Sequence, residues 1–144
     1  MVRGIMPTRG HRLLPHTADS VIEAWGPDRP ACLSEALEAL VDIFAQPADA
    51  AVTRPLPLSA DAGPATDILV RLLEEVIYVT EVLGVVPVHF QLADTEDGGV
   101  SGNMEVVDAH QVELIGPVPK AVSYHGLEMA EHDGSWRCRA LVDV

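Results

Sequence analysis

At 144 residues and 48% hydrophobic composition, the chain is long enough for one globular domain with a real core and too short for two comfortable ones. Its 22 acidic residues against 9 basic ones give a formal net charge of −13, which opposes long-range attraction to phosphate backbones and anionic lipid. Direct binding of nucleic acid or a membrane surface is therefore not expected.

The opening MVRGIMPTRG is basic and short and lacks the apolar core of a secretory signal, so residues 1–11 are expected to form a disordered tail ahead of a domain over 12–144. The stretch LLPHTADSVIEAWG places His16, Thr17 and Asp19 just before an apolar run that reads as a strand. Next, Leu33, Ala36, Leu37, Leu40, Val41 and Phe44 recur at helical spacing, with Glu35, Glu38 and Asp42 off the stripe. This predicts a helix over about 30–46, with Pro30 in its first turn and an acidic face turned to solvent. TRPLPLSADAGP (53–64) is rich in proline, but Val52, Leu56 and Leu58 point to a short edge strand, where proline is admissible.

A second helix follows from Ile68, Leu69, Leu72, Leu73, Val76, Ile77, Thr80 and Leu83, and Gly84 supplies its stop. The charges inside DILVRLLEEVIYVTEVLG exclude a membrane span. VPVHFQL alternates like a strand and EDGGVSG turns the chain into a hairpin. Near the end, Asp133-Gly134 between two strand-like runs is the signal of a two-residue type I′ turn. On the last strand Trp136, Cys138, Ala140 and Val142 share one face, and Arg137, Arg139, Leu141 and Asp143 share the other. The order strand, helix, strand, helix, four strands predicts a single-domain α+β fold with a largely antiparallel β-sheet and two amphipathic helices.

The six histidines are scattered, and Cys32 and Cys138 show neither C-x-x-C spacing nor a dense disulfide pattern. They are expected as buried thiols of a cytoplasmic protein, and zinc is not expected. Phosphate-cradling glycine loops and the G-x-S-x-G elbow are absent, so a self-sufficient enzyme has little local support. One oxygen-rich set remains: Asp19 before the first strand, Asp143 at the end of the last, and the α-carboxylate of Val144. If those strands are neighbours, the three anions converge, and such a set must take up a proton or a hard cation such as Ca²⁺, Mg²⁺ or Mn²⁺. The alternative is that both aspartates are simply solvated or cap backbone amides. His16 beside Thr17, and Lys120, Tyr124 and His125 in PKAVSYHGLEM, equally suit a polar turn and a solvated strand face.

Taken in order, HTAD, LSEALEALVDIF, DILVRLLEEVIYV, KAVSYHGLEM and DGSWRCRALVDV resemble the archease family over about residues 12–144. The resemblance implies a small cytoplasmic α+β protein that is a cofactor of the RtcB-type RNA ligase, which joins tRNA halves and repairs RNA with GTP and Mn²⁺. It implies that the chain promotes guanylylation of the ligase and its multiple turnover without joining RNA itself. It further implies a divalent cation, assigned as calcium in some members, held by residues matching Asp19, Asp143 and Val144. His16, Thr17, Lys120 and His125 fall in the matching motifs and receive supporting roles. Departures are mild: Ser20 where many relatives carry Ile or Val, Ser123 for Thr, and Val144 for Ile. Two rival readings remain from other classes, a general holdase chaperone and a metal-dependent phosphohydrolase built on the same carboxylates.

Overall fold

The computed structural model describes residues 8–16, 19–46 and 53–144, with Pro15 and His16 through their backbone. Among the described residues, nine strands and two long helices follow in the order β1 (Gly10–His16), β2 (Asp19–Gly26), α1 (Arg29–Asp42), β3 (Ala45–Gln46), β4 (Arg54–Ala60), α2 (Ala65–Leu83), β5 (Val85–Asp94), β6 (Val100–Asp108), β7 (Glu113–Leu114), β8 (Ala121–His132) and β9 (Ser135–Asp143). All described strand pairs are antiparallel, in a four-stranded sheet ordered β1-β2-β9-β8, a three-stranded sheet ordered β4-β6-β5 and the small pair β3-β7.

The helices start and stop for local reasons. Asp28 caps α1 by accepting from the Ala31 N–H at 2.8 Å, and Pro30 falls in the first turn, where no intrahelical donor is needed. At the other end of α2, Gly84 takes φ 67 and ψ 31, a left-handed conformation that glycine adopts without a Cβ penalty. The predicted first helix was expected to run to about residue 46, and this is corrected. It ends at Asp42 because the Phe44 carbonyl accepts from Ile115 N–H (2.9 Å), which draws Ala45 and Gln46 into pairing with Leu114 and Glu113. Phe44 still reaches the core, so its place on the apolar stripe was right and its helical state was not.

Both helices touch strands of both larger sheets, and the core lies between those layers. Leu33, Leu37 and Leu40 of α1, with Leu69, Leu72 and Leu73 of α2, are fully buried, and each contributes about 1.5–3 kcal/mol through burial. From the four-stranded sheet Ile22, Ala24, Cys138, Ala140 and Val142 join the core. The alternation expected for the last strand therefore holds, and Arg137, Arg139, Leu141 and Asp143 lie on the face turned away from the helices. Cys32 and Cys138 are free and buried; the adjoining Cys32 thiol and burial both push the Cys138 thiol up.

Two further expectations are refined. The first strand is a hairpin, β1 with β2, closed by the facing residues His16 and Asp19. β1 begins at Gly10, inside the stretch 1–11 assigned to a tail, while residues 1–7 lie outside the described ones. The edge strand read from 53–64 is β4, although Val52 lies outside the described residues. The Asp133-Gly134 turn joins β8 and β9 with φ 52 and φ 78, the two positive values a type I′ turn requires. Among the described residues no helix is long and apolar enough to cross a membrane.

Candidate metal centre

Strand order decides whether the two ends of the sequence meet. β2 pairs with β9 antiparallel, and in that register Asp19 stands directly opposite Asp143. Directly opposed residues project to the same face with Cα atoms roughly 4.5–5.5 Å apart, so the two carboxylates share one edge of the sheet. On its other side Asp143 faces Ala121, and its carbonyl accepts from the Lys120 N–H at 2.8 Å, which ties the start of β8 to the end of β9. Asp19 and Val144 are half-buried and Asp143 is exposed.

Two carboxylates about 4 Å apart repel by about 1 kcal/mol in water and roughly 4 kcal/mol at an effective dielectric of 20. The donors gathered here are oxygens, from Asp19, Asp143 and the main chain of Val144, and that set fits a hard divalent cation rather than zinc. Of the supporting residues, His16 sits opposite Asp19 in the backbone register and Lys120 adjoins Asp143. Thr17 lies outside the described residues. His125 does not join this group: it lies on an irregular stretch of β8, beyond the row formed by Ser123 and Leu141, with its N–H donating to Ser123 Oγ at 3.1 Å.

A second carboxylate cluster, expected as a solvated helix face, proves to be partly internal, and this too is a correction. Glu35 is 8% exposed. Arg9 Nε donates to its Oε2 at 2.6 Å, His11 Nδ1 donates to its Oε1 at 2.8 Å, and His11 Nε2 donates to Asp42 Oδ2 at 2.7 Å. An imidazole with a carboxylate on each nitrogen is held as the cation, and its pKa rises to about 9, chiefly through the Asp42 bond. Burial and the neighbouring Glu35 charge push Glu38 up. Single ligand atoms of His11, Glu35 and Glu38 lie within 4.8 Å of one another. Arg9 and the His11 imidazolium nevertheless supply the positive charge from within, so the arrangement is a strut that ties β1 to α1. The signal available in the sequence was the spacing of Glu35, Glu38 and Asp42 along one side of the helix. Their partners, 24 and 31 residues away, were not readable from it.

Comparison with known proteins bears on the family and the fold. The chain matches the model of the archease protein family over residues 11–144. It is 42% identical over 137 residues to the probable protein archease of Mycobacterium tuberculosis, an alignment covering 94% of this chain and 75% of that protein. It is 27% identical over 138 residues to the protein archease of Methanopyrus kandleri, covering 91% and 96% respectively. The solution structure of Methanobacterium thermoautotrophicum protein 1598 superposes with a TM-score of 0.70 at 20% identity, over 94% of this chain and 99% of that one. The crystal structure of a Thermotoga maritima archease, described as a possible chaperone, gives 0.66 at 17% identity, over 91% and 94%. At such identities the structural likeness carries the fold alone, whereas the family match spans nearly the whole chain. The chain belongs to the archease family.

Proposed function

We propose that this archease is a non-catalytic protein cofactor of an RtcB-type RNA ligase in the cytoplasm, acting through a divalent cation held at the Asp19–Asp143 end. The observation that supports the reading most is the register of β2 on β9, which sets Asp19 opposite Asp143 although 124 positions separate them in sequence. Asp19 and Asp143 each offer a carboxylate, and Val144 offers main-chain oxygens. The bond from Lys120 N–H fixes the strand end that carries Asp143. When bound, the cation, Ca²⁺, Mg²⁺ or Mn²⁺, supplies positive charge that offsets the phosphate oxygens of GTP as the ligase is guanylylated.

The net charge of −13 suits a basic, RNA-binding protein partner, because complementary potentials raise the encounter rate, and it disfavours RNA itself. The test is guanylylation of the cognate ligase with wild type, Asp19→Asn and Asp143→Asn. Each substitution is expected to cut the stimulation at least tenfold, and stimulation equal to wild type by both would overturn the reading. A holdase reading has one observation in its favour, the exposed apolar side chains Val82 and Leu83 at the end of α2 and Leu114 and Ile115 around β7. It predicts suppression of aggregation of an unrelated protein that is indifferent to Asp19 and Asp143.

A further inference from the structure

Val21 is 3% exposed yet is not part of the common core, because it projects from β2 on the face turned away from the helices. Its cross-strand neighbours on that face are Leu14 of β1 and Leu141 of β9, both half-buried. This apolar row lies one step along the face from the row that holds Asp19 and Asp143.

The other side of the row is shaped by an irregularity in β8. Pairing with β9 runs through Ser123 opposite Leu141 and resumes at Glu128 opposite Arg139. Five steps along β8 thus match two along β9, and three extra residues must leave the ladder. Gly126, at φ 69, permits the turn, and the His125 N–H bond to Ser123 Oγ braces its start. The bulge and the apolar row enclose a cavity of about 340 Å³ lined by Val21, His125, Gly126, Glu128, Arg139 and Leu141. Tyr124, which precedes the lining residue His125 in sequence, is 68% exposed, an unusual position for an aromatic ring in a folded chain.

We infer that this cavity is a socket for an apolar or aromatic side chain presented by the protein partner that the acidic end addresses, with the exposed Tyr124 beside it in sequence packing on the same partner. The inference rests on the reading of the acidic end as a site that docks on a basic, metal- and nucleotide-binding enzyme. The socket and the carboxylate pair are on the same face, two residues apart in register, so an enzyme that receives the acidic end also covers the socket. Val21 and Leu141 supply apolar lining beside His125, Glu128 and Arg139, and arginine and the exposed tyrosine next to the lining in sequence are residue types that protein interfaces favour. The register rows of this face set Arg12, Arg137 and Arg139 against Asp19, Glu23, Glu128 and Asp143, so it is the Asp19–Asp143 end that addresses the basic partner while the neighbouring socket supplies contact area.

The experiment measures the Kd of the purified cognate ligase, together with Ca²⁺ binding and thermal unfolding of the archease alone, for wild type, Tyr124→Ala, Leu141→Arg and Asp19→Asn. Tyr124→Ala removes an exposed ring and so keeps the test valid if Leu141→Arg fails to fold. Both socket variants are expected to raise Kd at least tenfold and to leave Ca²⁺ binding unchanged, while Asp19→Asn weakens Ca²⁺ binding. Wild-type ligase binding that folded Tyr124→Ala and Leu141→Arg retain within twofold overturns the socket while leaving the partner reading intact. A wild-type protein that does not bind the ligase at all overturns both.

Discussion

Among the described residues, two groups of carboxylates differ in what brings them together: side-chain ion pairs hold one and backbone register the other. Between β1 and α1, Glu35 and Asp42 close on Arg9 and His11, so the positive charge is built into the chain. At the joined ends of β2 and β9, backbone pairing forces Asp19 and Asp143 side by side, and Asp143 makes no ion pair with a basic side chain among the described residues. Convergence of acids alone therefore does not identify a cation site. A cluster that already holds its cations is a strut, whereas the carboxylates at the strand ends are brought together by backbone register and are the ones proposed to take a divalent ion.

Substitutions that act on one region and spare the other sharpen this contrast. The largest effect is expected at the strand ends: Asp143→Asn should weaken divalent-cation binding by at least tenfold in a calorimetric titration and leave the urea midpoint nearly unchanged, because the side chain is exposed. Glu35→Ala should do the reverse. It strips the shared acceptor from Arg9 and His11 in a buried setting and should lower unfolding free energy by about 2–4 kcal/mol in urea, with cation binding intact.

A pH series probes the strut more gently. The His11 pKa is raised from 6.5 to about 9 in the folded state, so its contribution is fully present below pH 6.5 and is lost as pH rises through 9. Wild type should lose about 1 kcal/mol across that window, discounted for the partial exposure of the ring, and His11→Asn should flatten the curve there. The smallest effect belongs to Glu38→Gln. Burial and Glu35 already disfavour the ionised form of Glu38, so neutralising it should change stability by under about 0.5 kcal/mol. A loss as large as that of Glu35→Ala would show that Glu38 carries the strut.

Much of the fold was legible because local periodicity encodes it. The stripes of both helices, the alternation of β9 and the Asp133-Gly134 turn each follow from spacing alone. What escaped depends on distant pairing. Phe44 continues the stripe of α1 yet lies outside the helix, because burial, which the stripe reports, is kept by a residue that β3 carries past the helix end. His11 appeared to belong to a tail because its partners are on α1. The bulge in β8 left only Gly126 as a trace. For the candidate site, Asp19 and Asp143 were readable as a pair on one condition, that the first and last strands lie side by side. The register of β2 on β9 meets that condition.

The most direct test of the difference between the two clusters is an anomalous-scattering map from crystals of this protein soaked in Mn²⁺. The account predicts a peak between the Asp19 and Asp143 carboxylates, within reach of Val144, and none among His11, Glu35 and Glu38. A peak at His11, Glu35 and Glu38 with none at Asp19 and Asp143 would contradict it.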